Sequence, residues 1–409
     1  MISGYSGMDL DRNLKDKNTI TEMNKKNPEI RVCVVSYPFT LSHKTPVYCL
    51  LFNFLEIIQS ISQRVFIISG NIPNQEIPQD LKNHFINIEM ETELKTNRPL
   101  YLSFPIWILN FIYGQIIMSF YLIQIAMYVD VVIFFIGYDY VLPAITAKLL
   151  RKKTIIIVTM SSKSIKETYN TFFYSLSRCI ETICYSIVDC LVVDPQNESL
   201  IKNEKYKKKI ELGARHVNLN QFKITKTIHE RSIIIGYIGR FSEEKGIRNF
   251  LAAISIILKD HNDIKFFIGG DGLLFDEVTE KIKSFPQDKI IATKWIPQLE
   301  LPQYLNNLKL IVIPSYTETG PFIALEAIAC GTPVLATSVG LIPDIITDGK
   351  TGFLLADNSP DTIAKNIFRV LNCQNLEEIV ENAREKVENE FTFQAAVNTY
   401  TRIFKKISD

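Results

Sequence analysis

The chain has 409 residues, and domains usually hold about 100–200 residues, so the length favours two domains. Hydrophobic residues make up 47% of the sequence and charged residues 22%, which supplies enough apolar sequence for two buried cores. The formal net charge of +1 gives no overall attraction to polyanions, so we expect no nucleic-acid partner.

Charge is nevertheless uneven along the chain. Residues 1–226 carry 26 Lys and Arg against 20 Asp and Glu, whereas the remainder carries 19 against 24. A basic first half suggests that this half faces an anionic partner or surface. The alternative is an uneven surface charge with no functional consequence.

Seven cysteines occur without a CxxC pair and without a Cys/His cluster. We therefore expect reduced thiols in a cytosolic compartment, and no metal site built by the protein. Residues 1–28 are polar and contain no apolar segment of signal-peptide length, so we predict a disordered tail.

From residue 29 onward, short β-branched segments alternate with longer amphipathic ones, which is the pattern of βαβ units. Several candidate strands are apolar throughout, as is typical of a parallel sheet covered on both faces. The candidates in the first half are Ile30–Ser36, Arg64–Ser69, Val131–Phe135, Thr154–Thr159 and Cys190–Val193. We predict a doubly wound, Rossmann-like α/β domain over residues 29–222.

A stretch of low hydrophobicity, Gln221–Arg231, is interpreted as a linker. The alternation then restarts with the candidates Ser232–Tyr237, Lys265–Ile268, Lys289–Ile291, Lys309–Pro314 and Pro333–Ala336. This pattern predicts a second Rossmann-like domain over residues 223–390, with a ligand cleft between the domains at the carboxyl ends of the strands. Residues 391–409 are predicted to form a helix that packs back toward the first domain.

The segment from Pro99 to Val129 contains no charged residue and is long enough to cross a bilayer. A single span would place Val131–Phe135 on the opposite side of a membrane from Ile30–Ser36, although both belong to one predicted sheet. A spanning helix is therefore disfavoured. Two alternatives stay open: a long helix buried in the first domain, or a helix whose aromatic outer face rests on a membrane surface. The residues of that outer face would be Trp107, Phe111, Tyr113, Phe120 and Tyr121.

The first chemical signal in the second half is GYIGRFSEEKG. Arg240 and Lys245 follow a predicted strand, and Gly239 and Gly246 allow close approach of the backbone. Two cations at a βα junction suit a diphosphate whose negative charge must be stabilised as it departs. The alternative is a pair of solvated side chains after a strand.

The second signal is IGGDG, with Gly270, Asp271 and Gly272 at the point where a predicted strand turns into a helix. Such a turn lets the main chain approach a ligand at a helix N-terminus, although an ordinary tight turn explains the glycines equally well. No G-x-G-x-x-G sequence follows the first strand of either domain, so the pattern does not indicate dinucleotide binding.

The strongest signal is PSYTETGPFIALEAIACGTPVLAT. A predicted strand ends in a loop that carries Glu318, and the helix that follows holds Glu326. Carboxylates at these two places can accept hydrogen bonds from sugar and ribose hydroxyls, while the helix N-terminus favours phosphate. The strand–loop–helix context distinguishes this Glu-x7-Glu pair from a chance occurrence.

These motifs closely resemble the group 1 family (family 4) of retaining glycosyltransferases, whose GT-B fold consists of two Rossmann-like domains facing across a cleft. The resemblance runs through GRFSEEKG, GGDG, WIPQLELPQYL, EAIACGTPV and DGKTGFL, and covers nearly all of the second predicted domain. The first domain resembles the family more weakly, through DVVIFF, TIIIVT and ELGARHVNLNQF.

The resemblance implies a role for each of four residues. Arg240 and Lys245 would bind the donor diphosphate, Glu326 the ribose, and Glu318 the transferred sugar near its reacting centre. Such enzymes usually need no metal ion or other cofactor, because the two cations replace the metal. The implied donor-binding residues are Gly239, Gly270, Asp271, Gly272, Trp295, Ile296, Thr319, Gly320, Phe322, Ile323 and Glu326.

The chain departs from the family at several loops. The usual glycine-rich loop after the first strand appears as SYPFTLSHKTP, and many members carry a histidine where this chain has Met160–Ser161–Ser162. The acceptor-side candidates are therefore His43, Lys44, Thr45 and Ser161. Pro321 stands where a backbone N–H often meets the donor, and proline has no N–H to donate.

The predicted function is transfer, with retention, of a hexose-type sugar from a nucleotide-diphosphate donor to a lipid-linked or cell-envelope glycan. We expect a cytoplasmic protein at the inner face of the cell membrane, in peripheral contact with anionic lipid. Two alternatives stay open: a non-catalytic subunit that binds nucleotide-sugars, and a nucleotide-sugar epimerase on the same fold.

Overall fold

The structure is a computed structural model and describes residues 30–36, 46–73, 77–88, 100–137, 139–158, 171–194, 204, 206–261, 263–318, 320 and 322–408. The chain forms two compact units. The first unit comprises residues 1–192, 203–211 and 397–409, and the second comprises residues 193–202 and 212–396.

The sheet of the first unit has seven strands within the described ranges. They are β1 (Arg31–Ser36), β2 (Arg64–Gly70), β3 (Phe85–Ile88), β4 (Val131–Phe135), β5 (Lys153–Val158), β6 (Cys190–Val193) and β7 (Ile210–Leu212). Their order is β3-β2-β1-β4-β5-β6-β7, and the pairs β2–β3, β1–β2, β1–β4 and β4–β5 are parallel. β4 is buried along its whole length, which explains its uninterrupted apolar sequence.

Four helices are described between these strands in sequence: α1 (Pro46–Ile61), α2 (Leu100–Ile125), α3 (Val141–Leu149) and α4 (Thr171–Ile187). α2 begins and ends within the predicted charge-free segment. The segment Ile108–Tyr128 is long and apolar enough to cross a membrane, although core helices of soluble proteins pass the same test.

α2 exposes many large apolar side chains and buries two polar ones. The exposed large apolar residues of α2 and of the 3-10 turn after it, at 47–82% exposure, are Leu109, Ile112, Tyr113, Ile116, Phe120, Ile123, Met127 and Tyr128. Gln115 and Ser119 are buried. The Gln115 amide donates to the carbonyl of Asp139, and its oxygen accepts from the Leu142 N–H at 3.2 Å. The alternative of a fully buried helix is therefore wrong.

The sheet of the second unit has six strands. They are β8 (Ile234–Ile238), β9 (Lys265–Gly269), β10 (Ile290–Thr293), β11 (Leu310–Ile313), β12 (Val334–Thr337) and β13 (Phe353–Leu355). The order is β10-β9-β8-β11-β12-β13, and every adjacent pair is parallel. Both sheets are thus of the predicted doubly wound, Rossmann-like type.

The remaining helices are α5 (Ile247–Ile257), α6 (Phe275–Lys283), α7 (Leu301–Leu305), α8 (Phe322–Ala329), α9 (Ile342–Ile345), α10 (Pro360–Leu371), α11 (Leu376–Glu390) and α12 (Phe393–Ser408). Residues 397–409, which include most of α12, belong to the first unit. There Tyr400 packs edge-to-face on Phe54 with ring centroids 5.3 Å apart, and Lys406 pairs with Glu211.

The segment 221–231 is packed onto the second unit. Phe222 and Ile228 are buried in its core. The buried Arg231 guanidinium donates to the carbonyls of Leu308, at 3.1 Å, and Cys330, at 2.6 Å. The interpretation of this segment as a linker is therefore wrong, because its polar composition conceals a few buried anchors.

Candidate active site

The candidate site lies at the carboxyl edge of the second sheet, where β8 and β11 are neighbours. The chain winds from β8 outward to β10 and then returns to β11 on the other side of β8. Connections therefore leave these two strands in opposite directions, which opens the crevice where doubly wound sheets bind ligands. The loop after β8 carries Arg240 and Lys245, and the loop after β11 carries Glu318.

Lys245 and Glu318 form an ion pair across this point. Lys245 Nζ lies 2.7 Å from Glu318 Oε2, with the two side chains 20% and 8% exposed. Glu318 Oε1 also accepts a hydrogen bond from the Ser315 hydroxyl at 2.7 Å. The pair depends on Gly246, whose φ is +69°, because a Cβ there would overlap the carbonyl oxygen of Pro314.

Arg240 is the more exposed of the two predicted phosphate ligands. Its guanidinium lies 3.5 Å from the Glu244 carboxylate, and its side chain is 53% exposed. Its main chain is fixed, because the buried Tyr237 hydroxyl donates to the Arg240 carbonyl at 2.9 Å. Each of the two cations therefore faces a carboxylate and keeps further N–H donors for a phosphate.

Gly270 and Gly272 have φ values of +153° and +152°. A Cβ on Gly270 would overlap the carbonyl oxygen of Gly239, and one on Gly272 would overlap the main chain of Phe241. The Phe241 N–H donates to the Asp271 carbonyl at 2.8 Å. These glycines therefore serve the close packing of two loops of the protein on each other, a reason that the sequence motif did not reveal.

Glu326 is buried in α8, behind the loop that carries Glu318. Burial raises the pKa of this carboxyl from 4.5 to about 7, because the charged form loses its solvation. The Gln298 side-chain amide donates to Glu326 Oε1 at 2.5 Å and acts in the opposite direction. A carboxylate can accept about four hydrogen bonds, so Glu326, with one amide partner, can also accept hydrogen bonds from hydroxyl groups.

The other implied donor residues frame the same edge. Trp295 and Ile296 follow β10, and the Ile296 side chain lies against Gly269 at the end of β9. Phe322 and Ile323 form the first turn of α8 and are partly buried.

Sequence reasoning missed Gln298 and Arg215. Arg215 forms an ion pair with Asp194, and both side chains are almost fully buried. Its guanidinium lies 5.2 Å from the centre of the Phe322 ring, and its Nη1 lies 3.5 Å from the Gly320 carbonyl oxygen. The only available signal was the match of ELGARHVNLNQF to the family, and that match assigned no role to the arginine.

Some predicted residues lie outside the part of the chain that the structure describes. They are the acceptor-side candidates His43, Lys44, Thr45 and Ser161 and the donor-loop residues Thr319 and Pro321. The predicted tail, residues 1–28, also lies outside the described ranges.

Residues 220–387 match the family model of the group 1 glycosyl transferases. The capsular polysaccharide biosynthesis glycosyltransferase CapM of Staphylococcus aureus is 27% identical over 40% of this chain and 43% of its own length. The chain spans about half the length of the curated relatives it matches.

Solved structures with the GT-B fold superpose on nearly the whole chain. Sucrose-phosphate synthase from Thermosynechococcus elongatus has a TM-score of 0.68 at 18% identity, over 92% of this chain and 99% of its own. Anabaena HepE in complex with UDP-glucose has a TM-score of 0.68 at 14% identity, over 92% and 99%. The fold is therefore GT-B, and residues 220–387 are similar to the group 1 glycosyl transferases.

Proposed function

We propose that this protein is a retaining glycosyltransferase that uses a nucleoside-diphosphate hexose as donor. The observation that carries the proposal is the partly buried Lys245–Glu318 ion pair at the carboxyl edge between β8 and β11, together with the buried carboxyl of Glu326 in the helix that follows. The site therefore offers a cation for a diphosphate and two carboxyls for hydroxyl groups. HepE, which shares the fold, has been solved with UDP-glucose bound, and we propose a nucleotide-sugar of the same class here.

Donor binding in this proposal is an exchange of partners. The diphosphate replaces Glu318 as the partner of Lys245 and replaces Glu244 as the partner of Arg240. Glu318 then accepts hydrogen bonds from the sugar, and Glu326 accepts them from the ribose. Two cations on the diphosphate stabilise the charge that grows as it leaves, so the reaction is proposed to need no metal ion.

The proposed transfer proceeds on one face of the sugar. The bond between C1 and the diphosphate oxygen breaks, and the bond between C1 and the acceptor oxygen forms on the same side. The acceptor proton passes to the departing phosphate oxygen. The protein's part is to hold both reactants and to stabilise the leaving group, and it supplies no nucleophile.

We propose a lipid-linked or cell-envelope glycan as the acceptor, used at the cytoplasmic face of a membrane. CapM, a relative, is described as a capsular polysaccharide biosynthesis enzyme, which supports an envelope glycan. The exposed apolar face of α2 supports contact with lipid, because large exposed apolar patches mark interaction surfaces.

Charge and continuity also favour a lipid surface. α3 packs beside α2 and adds exposed Leu142, Ile145 and Leu149 to the apolar face. This surface ends beside exposed Arg151 and Lys153 at the start of β5. Apolar insertion combined with cations is the arrangement by which peripheral proteins bind anionic bilayers.

A donor screen tests the transferase proposal. The purified protein is incubated with UDP-, GDP- and ADP-sugars and envelope-lipid acceptors, with and without EDTA, and the products are analysed by NMR. We expect a glycoside of retained anomeric configuration and equal rates with EDTA. Release of an epimerised free sugar, or binding without turnover, would overturn the proposal.

Co-sedimentation with vesicles tests the membrane contact. The wild type, the double variant Ile116→Ser/Phe120→Ser and the control Leu299→Ser, an exposed leucine of the second unit, are mixed with anionic vesicles at low and high salt. We expect the wild type and the control to stay bound at high salt and the double variant to be released. No binding of the wild type at low salt would rule the contact out.

A further inference from the structure

Arg215 lies against the loop that precedes α8. Its side chain is 8% exposed and forms an ion pair with Asp194 through two guanidinium nitrogens. The same guanidinium packs on the Phe322 ring and against the Gly320 main chain. A Cβ on Gly320 would overlap the guanidinium carbon of Arg215, so the glycine and the arginine fit each other sterically.

This location is electrostatically unusual. Phe322 begins α8, and the positive end of a helix dipole disfavours a nearby cation. Asp194 compensates the charge. Its two carboxylate oxygens accept hydrogen bonds from Nε and Nη2 of Arg215, the edge of the guanidinium opposite the loop. A buried arginine held at a helix N-terminus by its own carboxylate is thus a rigid support for the backbone at Gly320.

We propose that Arg215 is a positioning residue for donor binding, which rests on the proposed function of this loop. Gly320, Phe322 and Ile323 each carry a main-chain N–H close to the start of α8, and we assign these groups to the donor. By fixing Gly320 and Phe322, Arg215 sets the direction of these N–H groups and the entry of the chain into α8. It touches the loop, and it neither takes part in the reaction nor contacts the reacting atoms.

Arg384 provides a matched control at the other end of the same helix. Its guanidinium donates to the carbonyl of Ala329, the last residue of α8, and to the carbonyl of Phe222. Arg384 therefore contacts a backbone carbonyl at the end of α8, and Arg215 contacts one just before its start, at the candidate donor loop. If Arg215 only stabilises the fold, Arg215→Ala and Arg384→Ala should change donor affinity by similar amounts. If Arg215 positions the donor loop, only Arg215→Ala should weaken donor binding.

The experiment compares wild type, Arg215→Ala, Arg215→Lys and Arg384→Ala by calorimetry with UDP and UDP-glucose, by kcat and KM for the donor, and by thermal unfolding. We expect Arg215→Ala to weaken UDP-glucose binding about tenfold, the effect of losing about one main-chain hydrogen bond from the displaced loop to the donor, and to raise the donor KM more than it lowers kcat. Arg215→Lys should recover part of the affinity. Arg384→Ala should lower the unfolding temperature and leave the donor Kd within about twofold.

A second pair of variants keeps the test decisive if Arg215→Ala folds poorly. Gly320→Ala should weaken donor binding by overlap with the guanidinium, and Gly320→Ala/Arg215→Lys should bind more tightly than Gly320→Ala alone. Unchanged donor Kd in both Arg215 variants, or equal losses in the Arg215 and Arg384 variants, would overturn the inference. If the wild type binds no nucleotide-sugar at all, the proposed function fails, and this inference fails with it.

Discussion

The two units share a doubly wound sheet but carry different kinds of surface. The second unit holds the partly buried Lys245 and Glu318 and the buried Glu326 at the carboxyl edge of its sheet, a group that we call the charged recess. In the first unit, α2 buries its Gln115 and exposes many large apolar side chains. The comparison teaches that one topology supports a charged recess in one unit and an apolar face in the other.

The largest effect is expected from the charged recess. Lys245→Ala removes the cation that we assign to the leaving diphosphate, so the rate of transfer should fall about 10²–10³-fold. Steady-state kinetics with saturating donor measures it. Arg248→Ala is the control, because Arg248 pairs with Glu243 and Glu277 on the surface of the same unit. Wild-type turnover in Lys245→Ala would contradict the assignment of Lys245 to the leaving diphosphate, and with it the catalytic role of the charged recess in the second unit.

The next effect concerns the pH dependence of stability. The pKa of Glu326 is raised from 4.5 to about 7, so its protonated form stabilises the fold below pH 4.5, and this contribution is lost as the pH rises through 7. Glu326→Gln should therefore be more stable than the wild type at pH 8, by at most about 3 kcal/mol, and equal to it near pH 4. Urea unfolding at both pH values measures the difference. An equal difference at pH 4 and pH 8 would contradict the assignment.

The same carboxyl should link nucleotide binding to proton release. Ribose hydroxyls favour the ionised form, so affinity should increase as the pH rises and level off above about 7. Calorimetry in buffers of different ionisation enthalpy counts the released protons. Glu326→Gln serves as the control and should show neither the pH dependence nor the proton release.

A smaller effect is expected on ligand affinity, and it should differ between the Glu326 and Glu318 variants. Glu326→Gln should weaken binding of free UDP about tenfold, because its proposed partner is the ribose. Glu318→Gln should leave free UDP within about twofold and weaken UDP-glucose, because its proposed partner is the sugar. Titration of both ligands into both variants decides it. Identical losses for the two variants would argue against separate roles.

The smallest effect is expected at the apolar face of the first unit. Ile116→Ser/Phe120→Ser changes exposed side chains, so unfolding free energy should shift by no more than about 0.5 kcal/mol. Hydrolysis of a soluble donor should be unchanged, while retention on vesicles is lost. A large loss of donor hydrolysis in this variant would mean that the two surfaces are not independent.

The strand predictions were good where strands are apolar and central. β4 and β6 have the predicted bounds, and the other predicted strands are shifted by one or two residues at their ends. β3, β7 and β13 were missed because each is three or four residues long and lies at or near a sheet edge, where the hydrophobic pattern is weak. The outward face of α2 was predicted only in part. Tyr113 and Phe120 are exposed as expected, but the exposed aliphatic residues were not predicted, because a helix that is apolar all round has no preferred face in its sequence.

The candidate site residues that were predicted also differ in one respect from those that were missed. Arg240, Lys245, Glu318 and Glu326 lie in contiguous motifs, so their neighbourhood could be inferred from the order of strands and helices. Gln298 lies in the WIPQLELPQYL motif and Arg215 in ELGARHVNLNQF, and their partners, Glu326 and the Gly320 loop, are remote in sequence, so only the packed structure reveals the contacts. The reason for glycine at 270 and 272 also required the structure, because their partner is another loop of the protein.

The Lys245–Glu318 pair has a consequence for which anions the site accepts in a cell. In the proposed function, inorganic phosphate or pyrophosphate contacts Lys245 but supplies no hydroxyl donor for Glu318. A complete nucleotide-sugar brings the diphosphate for Lys245 and hydroxyl donors for Glu318 at the same moment. We therefore expect the site to prefer a complete nucleotide-sugar over the small phosphates of a cell, because only the former satisfies both partners of the pair.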